Sequence, residues 1–235
     1  TMFMSTVVKT AGFAAIYHIF AGVFGGLYST WVMPVYYISM LTLLIGNVTA
    51  VYQQSIKRML AYSSISHAGY MLLTVSARQG SSTSSILFYS LAYTLATLTA
   101  FAVFKIVSEY QTGRTEKPNN FQSFEGLAKA NPFLAFCFTV SLLSLAGIPL
   151  TAGFWGKFFV FTDTFNRNIV YPVIIAILMS AVGIYYYFKG IIAVYFKQGD
   201  IQKIEVSTLY QVALGLTTLG TLVLGLFPNL VKSLF

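Results

Sequence analysis

Charge is scarce in this chain. Only 9% of its 235 residues are Asp, Glu, Lys or Arg, against about a quarter in soluble domains. Acid is scarcer still: Glu109, Glu116, Glu125, Asp163, Asp200 and Glu205 are the whole supply. A soluble enzyme is excluded by this composition. The single cysteine, Cys137, excludes an intrachain disulfide. Nothing in the sequence resembles a metal cluster, a nucleotide loop or a hydrolytic triad. The net charge of +8 does not point to nucleic acid, because the basic residues are scattered over run ends and connectors and form no dense basic face.

What the chain has is long apolar runs. Several reach the roughly 20 residues that cross a hydrocarbon core, and 57% of all residues are hydrophobic. The 21 Phe and 16 Tyr suit lipid-facing and interfacial surface. Seven spans are expected, at about 2–20, 33–52, 59–77, 86–107, 131–165, 169–196 and 209–227. Backbone groups in lipid must be paired within a helix or a closed barrel, and the runs lack the alternation of barrel strands. The expected fold is therefore an all-α polytopic membrane protein with a single membrane domain over 1–235. The first run holds Lys9 and lacks a basic leader, so it reads as a span rather than a signal peptide. A chain that opens directly on a span is expected to be part of a longer or split one.

One long polar connector, 109–129, should lie outside the membrane. Phe121, Phe124 and Leu127 recur there at three-residue spacing, as in a short amphipathic piece lying along the surface. Connectors 53–58, 109–129 and 197–206 should share one side. They carry Lys57, Arg58, Arg114, Lys117, Lys129, Lys197 and Lys203, against Arg78, Arg167 and Lys232 opposite. By the positive-inside rule the first set faces the cytoplasm, or the matrix of an organelle.

The fifth span is too long. Its roughly 35 residues would make a helix of about 50 Å, across a core of about 30 Å. The segment 146–153 (AGIPLTAG) supplies a break. Pro149 removes a donor and clashes with the preceding turn, Gly147 and Gly153 permit nonhelical dihedrals, and Gly156 is placed with them in the expected hinge. Broken helices of this kind mark transporter ion sites; a plain proline kink is the simpler alternative. Lys157 follows the break by one turn and is the only charged residue between Ala130 and Thr162. Desolvation disfavours its ammonium form, which makes it a candidate proton carrier. Lys9 is a second candidate, with an interfacial lysine as the alternative. All six carboxylates lie in connectors or at span ends, so neither lysine is expected to have an acidic partner within this chain.

Span four carries Ser90, Tyr93, Thr94 and Thr97 at spacings of three and four, which puts their hydroxyls on one helix face. That face suits a water chain and equally suits interhelical hydrogen bonding. His67, in SSISHAGY, fits a relay near the inner face or a structural hydrogen bond. His18 lies near an interface, Lys105 and Glu109 fit a surface pair, and Lys189 should snorkel.

Two segments carry a resemblance: YQQSIKRMLAYSSISHAGYMLL (52–73) and SLLSLAGIPLTAGFWGKFFVF (141–161), with MSTVVKTAGFAA near the start. The chain resembles the antiporter-like membrane subunits of respiratory complex I, over essentially its whole length. The resemblance implies half of a fourteen-helix fold built from two inverted five-helix repeats, from the eighth helix on. The helices bearing the family's glutamate–lysine pair and its first broken helix would lie outside this sequence. By position, Lys9 matches the family's connecting lysine and Lys157 the lysine of the second broken helix. Tyr93 stands where sister subunits often have a relay histidine. The resemblance further implies proton translocation coupled to quinone reduction, with FMN and iron–sulfur clusters in other subunits and no cofactor in this chain. The implied partners are the other membrane subunits of the complex, neighbouring antiporter-like subunits among them, the missing N-terminal half and the lipid bilayer. The implied location is the bacterial inner membrane, with the mitochondrial inner membrane as the alternative. Two other functions stay open: a subunit of a multisubunit cation/proton antiporter, and a purely structural membrane subunit.

Overall fold

The computed structural model describes residues 2–77, 82–112, 114–115, 117–166, 170–199 and 201–232. Arg78, Glu116, Arg167 and Asp200, the side chain of Lys232 and the expected start of span six at Ile169 lie outside the described residues. The helices are α1 (Lys9–His18), α2 (Tyr28–Val51), α3 (Ile56–Ala77), α4 (Ser82–Gln111), α5 (Leu127–Ala130), α6 (Pro132–Ala146), α7 (Ala152–Phe165), α8 (Val170–Phe196), α9 (Thr208–Leu226) and α10 (Asn229–Lys232). Wider π-helical turns, Met4–Val8 and Ile19–Val23, extend α1 at both ends. Among the described residues there are no strands, only the isolated bridges Ser55–Asn120 and Thr112–Thr115.

Among the described residues five helices are long and apolar enough to cross a membrane: Met4–Val23, Gly25–Val51, Ser82–Gln111, Val170–Phe196 and Thr208–Leu226. Helix α3 is as long but more polar, because Ser63, Ser64, Ser66 and His67 interrupt it. With the broken pair α6–α7 it packs into the same bundle. Helix α4 is the hub: it packs on α3, α6, α7 and α9, and most of its apolar length is buried. The first helix lies at the edge, with Phe13 its one buried side chain among the described residues of α1.

Small residues set how close the helices come, as is usual where lipid supplies no drive for association. A Cβ on Gly46 would sit 2.7 Å from the Ser66 backbone nitrogen, and one on Gly69 would sit 2.7 Å from Leu43. These two contacts draw α2 against α3, the pair that packs most extensively. Helix α2 begins at Tyr28, before the expected Met33, and takes Pro34 into its second turn.

The three basic connectors meet. The Ile56 amide donates to Asn119 O at 2.9 Å and the Phe121 amide to Gln54 O at 3.2 Å, while Lys197 pairs with Glu125 at 3.0 Å. The expected surface-lying amphipathic piece needs correction. Phe121, Phe124 and Leu127 are buried, with the short turn Phe121–Phe124 packed on α4 and α8, so it plugs the end of the bundle instead of lying on lipid. Lys189 reaches this end, donating to Gln53 O at 3.2 Å over the Phe121 ring.

The break between α6 and α7 is a built turn. Gly147 adopts the left-handed region (φ 83°), and its amide and that of Ile148 donate back to Ser144 O and Leu143 O, closing α6 in the manner of a glycine C-cap. Leu150 also has positive φ, 74°, an uncommon state for a branched side chain. The hinge therefore centres on Gly147–Thr151. Gly153 and Gly156 lie within α7 and act by close packing, not by nonhelical dihedrals. A Cβ on Gly153 would collide with Ser144 O at 1.8 Å, and one on Gly156 would press on Tyr89 at 3.1 Å.

Gly147→Ala is expected to lower stability by about 1–2 kcal/mol, the cost of a left-handed non-glycine residue, with further loss where the new Cβ meets Lys157 Cδ at 2.8 Å. Gly12→Ala, with open space around it, should be neutral or slightly stabilising. Thermal unfolding of both variants in detergent measures the difference.

Candidate functional site

Breaking a helix inside the bundle frees carbonyls that would otherwise be paired. The free carbonyl of Ala146, at the end of α6, is where Lys157 points. Its Nζ donates to Ala146 O at 2.7 Å and to Ser180 Oγ of α8 at 3.0 Å. It also lies 5.2 Å from the centre of the Tyr70 ring, within cation–π range. Lys157 is 6% exposed, so it does not snorkel. A helix C-terminus carries partial negative charge and here occupies the place a carboxylate would take. Gly147 makes room for the lysine stem, since any Cβ there would meet it.

Lys9 is held from α3. Its Nζ donates to Ser64 O and, at 2.8 Å, to Ser64 Oγ. Tyr93 OH lies 3.5 Å from the same nitrogen and donates to Ser64 Oγ at 3.0 Å. Ser64 is eight residues into α3, about 12 Å from its start, so the Lys9 ammonium is held well inside the length of the bundle. Lys9 is only half-buried, and Met4, Val7 and Val8 beside it are exposed.

His67 lies between the two lysines. Its ring centre is 4.8 Å from that of Tyr93. Its Nδ1 is 2.6 Å from Tyr89 OH and its Nε2 is 3.2 Å from Tyr187 OH. A small void of about 10 Å³ is bounded by His67, Tyr89, Tyr93, Ser144 and Lys157, with Ala92 and Ala96 forming an apolar side. That is close to the least space one water needs, about 10–15 Å³. A line of polar groups thus runs Lys9, Ser64/Tyr93, His67, Tyr89, void, Lys157, with a ring contact in place of a hydrogen bond between Tyr93 and His67.

The structure brings together Lys9, Tyr93, His67 and Lys157, all read as candidates from the sequence. It splits the expected hydroxyl face of α4. Tyr93 joins the file, but Thr94 pairs with Thr10 at 3.3 Å, and neither Ser90 nor Thr97 lines the void. The working face is Tyr89–Ala92–Tyr93–Ala96. Sequence reasoning missed Tyr89, Tyr187, Ser180 and Tyr70 and gave Ser64 no role; tyrosines in apolar runs read as interfacial, and only the i, i+4 pairing of Tyr89 with Tyr93 hinted otherwise. Among the described residues, Lys105 pairs with Glu109 and Lys197 with Glu125, while Lys9 and Lys157 are held by neutral acceptors. Asp163, placed at a span end by the sequence, is buried at 5% exposure.

Residues 1–185 match the family described as NADH:quinone oxidoreductase/Mrp antiporter, TM. The match covers more than half of the chain, and the chain belongs to this family. Among its relatives is the NADH-quinone oxidoreductase subunit N of Cytophaga hutchinsonii, 41% identical over 237 residues, which cover 98% of this chain and 50% of the relative. In a solved respiratory complex I from Thermus thermophilus, one chain is 32% identical with a TM-score of 0.76, over 86% of this chain and 45% of that one. A chain of the Mrp complex from Dietzia sp. has a TM-score of 0.83 at 20% identity, over 95% and 49%, a likeness of fold alone. The chain spans about half the length of the curated relatives it matches.

Ser180→Ala removes the one side-chain acceptor of Lys157 and should cost about 1 kcal/mol of stability. Ser180→Thr keeps the hydroxyl and should retain most of it. Thermal unfolding of the two variants side by side gives the comparison.

Proposed function

We propose that this chain is the C-terminal half of a proton-translocating membrane-arm subunit of an NADH:quinone oxidoreductase, corresponding to subunit N. The carrying observation is the file itself: two lysines at membrane depth, both bound to neutral acceptors, with an imidazole and one water-sized void between them. A lysine at the bilayer centre costs at least ~3 kcal/mol on insertion scales, and such residues mark ion pathways. Lys9 and Lys157 gain and lose protons in turn, with Tyr93, His67 and Tyr89 passing them between. Quinone reduction elsewhere in the complex, with FMN and iron–sulfur clusters in other subunits, supplies the energy. The other membrane subunits, neighbouring antiporter-like ones among them, are its partners, and the cell inner membrane of a bacterium is its location. The 41% identity to a subunit N, against 20% to the Mrp chain, favours the oxidoreductase over a cation/proton antiporter.

Lys157→Ala in the assembled complex should lower proton translocation on the order of 10²-fold, the low end of what a positioned proton-transfer group contributes. Acidification of sealed membrane vesicles, followed together with quinone reduction, checks this. Unchanged coupled activity overturns the proposal, and a dependence on sodium instead of protons transfers it to the antiporter reading.

A further inference from the structure

Toward Lys157, the line of polar groups uses one nitrogen of His67. Its Nδ1 faces Tyr89, which borders the void. The other, Nε2, faces away from that line, toward Tyr187 OH on α8. Tyr187 OH is in turn hydrogen-bonded to Ser63 Oγ on α3. The neighbouring Tyr186 has its ring centre 4.5 Å from that of Tyr187 and donates to Asn47 Oδ1 of α2 at 3.0 Å. The Asn47 amide is fixed by its own bond to Leu43 O at 2.9 Å. All five side chains are buried.

This second arm has a direction. Ser63 lies one turn before His67 and seven residues from the start of α3, about 10 Å from the basic connectors. Tyr187 lies nine residues before the end of α8 at the same side. Lys189, just beyond it, already reaches the connector at Gln53 O. Between Ser63 and the connector the same face of α3 carries Met59 and Ile56, both fully buried. The arm therefore climbs from His67 toward the basic face and stops below a two-residue apolar plug. Each of its hydroxyls both donates and accepts, as a relay requires.

From this geometry we infer that protons from the basic-connector side reach His67 through Ser63 and Tyr187 and leave it toward Tyr89 and Lys157. The step balances. Ser63 Oγ gives its proton to the Tyr187 oxygen as the Tyr187 hydroxyl proton moves to His67 Nε2. His67 gives its Nδ1 proton to the Tyr89 oxygen as the Tyr89 hydroxyl proton passes across the void to the neutral amine of Lys157, and a proton from the connector side restores Ser63. Opening requires water to pass Met59, whose unbranched side chain can swing aside. Tyr186 and Asn47 hold Tyr187 in place and are positioning residues.

The inference rests on the proton reading of Lys157, and the experiment separates the two. In the full-length protein within its assembled complex, Tyr187→Phe keeps the ring and removes the hydroxyl. Ser63→Ala and Ser63→Thr form a second, independent pair. Proton translocation into sealed vesicles and its solvent deuterium isotope effect are measured for each, beside Lys157→Ala. The expected result is a loss on the order of 10²-fold for Tyr187→Phe and Ser63→Ala, a raised isotope effect in both, and near-normal activity for Ser63→Thr. If Tyr187→Phe fails to assemble, the Ser63 pair decides alone. Loss in Lys157→Ala with normal translocation and isotope effect in Ser63→Ala overturns the entry arm and leaves the lysine file standing. No loss in Lys157→Ala overturns both.

Discussion

The bond from Lys157 Nζ to Ala146 O is the contact on which the site depends. A charged lysine inside lipid needs a counter-dipole, and this chain has no carboxylate to give it among the described residues around it. The break supplies one instead. Ending α6 in the middle of the bundle exposes a carbonyl at the negative end of a helix, and starting α7 after five intervening residues brings the lysine back to it. Every unusual backbone feature nearby serves this arrangement: the left-handed Gly147, the positive φ of Leu150 and the near-contact of Gly153 with Ser144.

Around that contact the bundle is built to keep the path narrow. Helix α4 touches both halves of the broken pair as well as α3, so one element carries Tyr89 and Tyr93 into the centre. Glycines at α2–α3 and at Gly156 let ring and backbone approach without gaps. What remains is a void large enough for about one water. A path that holds single waters between titratable groups can move protons while excluding hydrated cations.

The architecture was largely legible in the sequence, because apolar run length and the AGIPLTAG interruption are one-dimensional signals. Lys157 was legible for the same reason: it stands alone in a long uncharged stretch. The amphipathic spacing of Phe121, Phe124 and Leu127 was read correctly as one-faced but assigned to the wrong surface, since periodicity says nothing about what lies opposite. Tyr187 and Ser180 were not legible at all. Their roles arise from the rotation of α8 against α3 and α7, which the apolar pattern of a helix surrounded by lipid and protein does not fix. Tyr89 was obscured by its neighbour Ser90, the better-looking relay residue by type but on the wrong side of the helix.

The central claim is that Lys157 alternates between ammonium and neutral amine beside the Ala146 carbonyl. The most direct test is the nitrogen chemical shift of its side chain in ¹⁵N-lysine-labelled complex, assigned by comparison with Lys157→Arg and recorded with the quinone pool oxidised and under steady turnover. The account predicts two states whose populations change with turnover. A single ammonium signal, the same in both conditions, would contradict it.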